Sequence, residues 1–305
     1  MPITIPDGLP ARNFLEQEGV QIMGETDAIR QDIRPLKIAL LNLMPNKERT
    51  ECQIARLVGS TPLQVELTLL TTDSYIPTHV SKHHMASFYS TWDQIKDEKL
   101  DALIVTGAPI ETMEFEDVTY WKELTKIYDW TQTNVHSTLN ICWGAQASLY
   151  HFRKVPKRLL PEKMFGVFDH DVMQTGTSLL RGFNDSFPIP VSRHTETRIE
   201  DLPDDPTLTV LASSPESGLC LVQDTKYRQI GIFNHVEYDD VTLAEEYDRD
   251  VREAKPIQLP KNYFPNDDPS RRPINRWRAH AHLLFGNWIN DVYQTAPYDS
   301  SKIGS

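Results

Sequence analysis

The apolar positions of the first half of the chain fall into short strand-like runs separated by helical patterns. Residues 36–43 are a nearly continuous apolar run that ends at Met44-Pro45-Asn46, as expected of a buried strand. Helical spacing follows over 46–58, with Asn46 placed to cap it. Residues 65–70 alternate like a second strand, and 102–105 form a third, stopped by Thr106-Gly107-Ala108-Pro109. Asp117 then opens a helical pattern through about Thr131, with apolar positions at Val118, Trp121, Leu124, Ile127, Tyr128 and Trp130. Residues 135–141 predict a fourth strand that runs straight into Cys142, and 144–152 are again helical. This alternation predicts an α/β fold, a mainly parallel sheet flanked by helices. Ligands in such sheets sit at the carboxyl ends of strands, where Gly107 and Cys142 both fall.

The second half is richer in strands, predicted at 167–172, 207–212, 219–223 and 229–233. A highly charged helix is expected over 242–254, a proline-containing ordered loop or lid over 255–273, and a last helix over 276–292 carrying Trp277, Leu284 and Trp288. Residues 1–35 are polar and proline-marked, with a short helical pattern at 11–17, and read as an arm that packs on the body or on a partner chain. The organisation expected is thus an arm (1–35), one domain (36–297) and a tail (298–305). The arm has no obvious place in a minimal sheet, which suggests a homodimer.

Charge and cysteine content narrow the classes. A net charge of -12 over 305 residues argues against a broad nucleic-acid or anionic-membrane surface. The N-terminus lacks a basic stretch followed by an apolar run, and no apolar run approaches about 18 residues, so neither a secretory signal nor a membrane span is expected. Cys52, Cys142 and Cys220 are odd in number and widely spaced, which fits neither a disulfide framework nor a zinc site and points to a reduced, cytoplasmic protein. His280 and His282 do not share a helix face, so no metal is expected there. Arg153, Lys154, Lys157 and Arg158 make a basic cluster, readable equally as a solvated helix end or as a phosphate contact.

The candidate chemistry lies in two short segments, Asn140-Ile141-Cys142-Trp143-Gly144 and Asn234-His235-Val236-Glu237. A cysteine on a sharp strand-to-helix turn has its sulfur lifted above the sheet edge, and the helix N-terminus favours the thiolate. Gly144 leaves room for the close backbone approach such a turn needs. The backbone N–H of Trp143 is placed to bind a tetrahedral oxyanion, with a second donor expected from the 107–110 turn, at Ile110. His235 emerges at a strand end, and Glu237 lies two residues on, on the same side of an extended segment. A carboxylate there would fix the imidazole tautomer and stabilise its protonated form. His170, His194, His280 and His282 remain alternatives to His235, while Cys52 and Cys220 read as core residues. Cys142, His235 and Glu237 together suggest acyl transfer through a thioester.

Five motifs carry a more specific resemblance: Leu41-Asn42-Leu43-Met44-Pro45, Thr106-Gly107-Ala108-Pro109, Asn140-Ile141-Cys142-Trp143-Gly144-Ala145, Ser192-Arg193-His194-Thr195-Glu196 and Asn234-His235-Val236-Glu237-Tyr238. Over about residues 1–297 the chain resembles the homoserine O-acyltransferases of bacterial methionine biosynthesis, the branch with a class I glutamine-amidotransferase-like fold. The resemblance implies Cys142 as acyl-accepting nucleophile, His235 as general base and Glu237 as its orienting acid. It also implies substrate contacts at Lys163, Ser192 and Arg249, with Arg249 on the substrate carboxylate. L-homoserine and acetyl-CoA are the implied substrates, with no permanently bound cofactor. The family divides by acyl donor at the position of Glu111, where glycine accompanies succinyl transfer and glutamate acetyl transfer. A glutamate facing a succinyl carboxylate would repel it and fill its space. The expected activity is therefore homoserine O-acetyltransferase. The competing readings are succinyl transfer, a cysteine amidotransferase or peptidase of the same fold, and a non-enzymatic module in which Cys142 senses redox state.

Overall fold

The computed structural model describes residues 3–17, 22–24, 34–74 and 80–304. Its centre is a run of parallel strands: β3 (Leu36–Leu41), β4 (Val65–Thr71), β6 (Leu100–Val105), β7 (Val135–Ile141) and β12 (Gln229–Ile232). They lie side by side in the order β4-β3-β6-β7-β12, with the short β5 (Tyr89–Thr91) pairing with β4 off this run. Side chains of period two divide between the faces. Ile38, Leu40, Ala102, Ile104, Leu139 and Ile141 join one apolar cluster, which includes Ile54 of the helix Lys47–Val58 and Trp288 of the helix Arg278–Thr295. Ala39, Leu41, Leu103 and Val105 join the opposite cluster with Leu124 and Tyr128 of the helix Trp121–Asn134. The near-continuous apolar runs of these strands follow from burial on both faces.

Beyond β12 the sheet turns antiparallel through β11 (Gly218–Asp224), β10 (Leu208–Ser214), β8 (Arg158–Val172) and β9 (Ser186–Glu196). β8 is longer than the predicted 167–172 because its first half is largely exposed and carries no apolar alternation. β9 is absent from the pattern reading. Pro188 and Pro190 interrupt its signal, yet proline is tolerated here because β9 closes the sheet and leaves one row of donors unpaired. The β8–β9 ribbon is further pinned by residue 261, whose N–H donates to Phe165 O at 3.0 Å and whose carbonyl accepts from Val167 N at 2.9 Å. Residues 255–273, read as an ordered loop or lid, are held there through buried Tyr263 and Phe264, which pack with Phe165, Tyr238 and Trp277.

Two expectations change at the ends. In the arm, β1 (Ile3–Ile5) pairs in parallel with β4, and β2 (Ile22–Gly24) pairs with β1, so the segment extends the sheet. Leu15 of the short helix Ala11–Gln17 is fully buried. The argument for a second chain from an unplaced arm therefore lapses. At the other end, Ile303 is 1% exposed and its carbonyl accepts from Lys99 Nζ at 3.1 Å, so residues predicted as tail are packed.

The helix predicted from Asp117 begins at Trp121 instead. Phe115–Asp117 form a 3-10 turn, and Trp121 N donates to Val118 O at 2.9 Å, so the chain reaches helical geometry one turn late. The Asn46 cap is present, its side chain accepting from Arg49 N at 3.2 Å.

Gly144 sets how closely the helix after β7 approaches β6. A Cβ there would lie 2.8 Å from Thr106 O and 3.0 Å from Val105 O, both backbone atoms. Gly144→Ala should destabilise the protein by about 1–3 kcal/mol, measured by denaturant unfolding, and an unchanged midpoint would contradict this contact.

Candidate active site

The site is assembled where β7 and β12 end. The two strands pair in parallel with Ile141 opposite Ile232, so the residues that follow each leave the sheet at the same edge. Cys142 N donates to Ile232 O at 2.6 Å, which ties the two exits together. Cys142 itself has φ 52° and ψ -117°, a strained conformation for a residue with a Cβ, and it immediately precedes the helix Trp143–Arg153. Gly107 approaches from the end of β6. A Cβ on it would lie 3.1 Å from Cys142 Cβ and 3.6 Å from Trp143 N, so its absence leaves space beside the Cys142 side chain and the first helical N–H.

His235 is buried, and its backbone N–H donates to Pro190 O at 2.9 Å on β9. Its Nδ1 lies 2.7 Å from Glu237 Oε1, and Cys142 hydrogen-bonds the imidazole, which leaves Nε2 facing the sulfur. Tyr238 stacks on the ring at 4.1 Å and 16°, fixing its plane. Burial opposes a charge on His235, but the Cys142 and Glu237 charges and hydrogen bonds outweigh it and raise its pKa well above 6.5. The arrangement favours a protonated imidazole beside the sulfur. Of the alternatives, His170 is fully buried, with a pKa pushed down to about 4 first by burial and then by the Arg193 charge.

A second cluster lies alongside. Ser192 Oγ donates to Glu246 Oε2 at 2.6 Å, and Lys163 Nζ donates to the same oxygen at 3.2 Å and to Asp250 Oδ2 at 3.4 Å. Tyr238 also hydrogen-bonds Glu246, linking this cluster to the ring stacked on His235. Arg249 is half-exposed and pairs with Asp250 at 2.8 Å. Although burial works against it, Arg249 and Lys163 hold the Asp250 pKa below the usual carboxylate value. Lys163, Ser192 and Arg249 thus meet at one place, through carboxylates the sequence reading missed. The signal was present: Glu246, Arg249 and Asp250 fall at i, i+3 and i+4 of the helix Thr242–Arg252.

Three expected features look different in place. The Ile110 N–H donates to Ala108 O at 2.8 Å, so serving an oxyanion would require breaking that bond. Glu111 accepts a long 3.4 Å hydrogen bond from His194 N, across from β9. The basic cluster is largely committed. Arg153 pairs with Asp205 and Asp224 at 2.6 Å each, Arg158 grips Asp201 with two 2.6 Å bonds, and Lys157 donates to Met113 O. That arrangement favours the structural reading over phosphate contact.

Also missed was buried Lys47, whose pKa burial lowers to about 8 against the opposing Glu51 charge. It donates to Asn42 O beneath the turn after β3, where Leu43 N donates to Thr106 Oγ1 at 2.8 Å. A cavity of about 1150 Å³ lies behind Glu237, between the helices Lys47–Val58 and Arg278–Thr295, and Cys142 does not line it.

Comparison with known proteins places this geometry. The model of the homoserine O-succinyltransferase family matches residues 2–298. The chain belongs to that family. It is an acyltransferase. It is 58% identical over 304 residues to the homoserine O-acetyltransferase of Allorhizobium ampelinum, covering 100% of this chain and 98% of that protein. It is 57% identical to the homoserine O-acetyltransferase of Hyphomonas neptunium, covering 100% of both. A glutamine amidotransferase from Thermotoga maritima shares the fold at 12% identity and a TM-score of 0.54, covering 85% of this chain and 99% of that one. A glutamine amidotransferase from Methylobacillus flagellatus has a TM-score of 0.51 at 12% identity, covering 85% and 95%. These likenesses bear out the α/β amidotransferase-like fold and the family resemblance. No helix among the described residues is long and apolar enough to cross a membrane, and no group of three or more His, Cys, Asp or Glu among them could hold a metal ion.

The charge on Glu237 is one of the causes that keep His235 protonated. Glu237→Gln keeps the shape and loses that charge, so the His235 titration followed by NMR should move to lower pH. An unmoved midpoint would show that Glu237 only orients the ring.

Proposed function

We propose that the protein is a homoserine O-acetyltransferase that carries the acetyl group of acetyl-CoA on Cys142 and delivers it to the hydroxyl of L-homoserine. The observation that carries this reading is the relay Cys142–His235–Glu237 at the strained turn, with a polar cluster of Lys163, Ser192, Glu246 and Arg249 beside it.

In the first half-reaction the Cys142 sulfur attacks the thioester carbonyl. The proton on His235 passes to the departing CoA sulfur, and the Trp143 N–H supports the oxyanion. One thioester is exchanged for another, so the step is close to balanced. In the second half the neutral imidazole accepts the homoserine hydroxyl proton, and that oxygen attacks the acyl carbon. The C–S bond breaks, its electron pair returns to Cys142, and the protonated imidazole again faces the sulfur.

Homoserine carries an ammonium and a carboxylate. Glu246 suits the ammonium, while Arg249 and Lys163 suit the carboxylate. Arg249 would exchange its 2.8 Å pairing with Asp250 for the substrate, which its half-exposed position permits. Glu111, reaching toward His194 on β9, supports acetyl as the donor group by disfavouring a second carboxylate on the acyl chain. The relatives named homoserine O-acetyltransferase favour the same donor.

Intact-mass analysis after incubation with acetyl-CoA should give a +acetyl adduct that maps to Cys142 and is discharged by homoserine. Cys142→Ser should form no thioester and lose turnover by about 10³-fold or more, and a fully active variant would overturn the scheme. Glu111→Gly should raise the succinyl-CoA to acetyl-CoA rate ratio by about tenfold; an unchanged ratio would remove Glu111 as the selector.

A further inference from the structure

Asn234 opens the Asn234-His235-Val236-Glu237 segment and has no part in the scheme above, yet its side chain joins two other strands from a fully buried position. Its Oδ1 accepts from Arg193 Nη1 of β9 at 2.5 Å, and its Nδ2 lies 2.8 Å from His170 Nε2 of β8. The same His170 nitrogen is 2.9 Å from Ser217 Oγ, in the turn between β10 and β11. Arg193 Nη2 donates to the Ser217 carbonyl and closes the ring of contacts. Arg193, His170 and Ser217 are all buried as well.

Arginine dictates how the other groups are oriented. A guanidinium has only N–H donors, so the Asn234 atom that faces it must be the carbonyl oxygen. That turns the amide nitrogen, also a donor, toward His170. His170 Nε2 must then be a bare acceptor, with the ring proton on Nδ1. A second proton on the ring would set donor against donor. Burial, and after it the Arg193 charge, pushes the His170 pKa down to about 4 and keeps the ring neutral at ordinary pH. The backbone on either side of Asn234 is held too. Phe233 N donates to Cys220 O of β11 at 2.8 Å, and His235 N donates to Pro190 O of β9 at 2.9 Å. These two bonds fix the path of the chain, and the Asn234 side chain fixes its rotation between them.

We infer that Asn234 is a positioning residue for acyl transfer: its side chain, held by Arg193 and His170, sets the direction in which His235 leaves β12. The inference rests on the acyl-transfer reading and deepens it. The imidazole must meet Glu237 through Nδ1 and the Cys142 sulfur through Nε2 at the same time. A small rotation of the chain at Asn234 would swing the ring away from one of them. The antiparallel half of the sheet thus aims a side chain carried by the parallel half. His170, an alternative to His235 in the sequence, serves here as a hydrogen-bond acceptor for its neighbour.

The test asks whether Asn234 acts through His235. Asn234→Ala is made in the wild type and in the His235→Gln background, with folding checked by circular dichroism. In the wild type it should lower kcat by about 10²-fold and leave the KM for homoserine and for acetyl-CoA unchanged. Cys142 alkylation by iodoacetamide, followed by peptide mapping, should slow in Asn234→Ala but slow no further when His235 is already Gln. A folded Asn234→Ala protein with unchanged kcat, or equal slowing of alkylation in both backgrounds, overturns the inference.

A second measurement uses the unaltered chain. NMR of protein isotope-labelled at the histidine nitrogens should show His170 with a proton on Nδ1 and none on Nε2 at neutral pH. The reverse tautomer would break the Asn234–His170 bond and overturns the inference even if Asn234→Ala does not fold. Acetyl-CoA labelling of wild-type Cys142 is scored separately. Its failure would sink the acyl-transfer reading while leaving the alkylation and tautomer results to decide how His235 is aimed.

Discussion

The parallel pairing of β7 with β12 is the constraint on which the rest of the site depends. With Ile141 opposite Ile232, the two strands leave the sheet at the same level, and the 2.6 Å bond from Cys142 N to Ile232 O fixes where the chain turns. A one-residue slip would turn every side chain of the strand to the other face. Ile141 and Ile232, both buried in the same apolar cluster, make such a slip costly. The register therefore brings together two residues ninety-three positions apart in the chain, Cys142 and His235.

The antiparallel extension of the sheet does more than enlarge it. β9 closes one edge, and its outward carbonyl at Pro190 accepts the His235 N–H, so an edge strand that would otherwise be exposed is used to hold His235. The same strand supplies Ser192 to the polar cluster and Arg193 to the buried network under Asn234. Alternation along a strand explains this division of labour, because neighbouring residues point to opposite faces. The 255–273 segment completes the support from outside. It pins β8 and packs Tyr263 and Phe264 into the cluster containing Tyr238, whose ring lies on His235.

How much of this was legible in the chain follows from which signals are local. The central strands announced themselves through apolar runs, and the sharp turn through a cysteine between a strand and a helix. Gly144 was readable because close approach demands the smallest residue, and a Cβ there would lie 2.8 Å from Thr106 O. β9 was not readable, since Pro188 and Pro190 count against a strand unless its edge position is already known. The first half of β8 was hidden because exposed strand residues need not be apolar. The arm's place in the sheet was hidden for a related reason, since strands of three residues carry too little pattern to register.

The sequence by itself determined the strand–helix alternation, the sharp turn at Cys142, and the residue types available for nucleophile, base and orienting acid. These follow from side-chain periodicity and backbone sterics, which act over a few residues. Only the tertiary structure decided which charges meet. It tied Arg153 and Arg158 to carboxylates, gathered Lys163, Ser192 and Tyr238 on Glu246, and buried Arg193 against the Asn234 side chain and the Ser217 carbonyl. Electrostatic partners depend on distance through space and on the water removed by burial, and neither quantity is written in the order of residues along the chain.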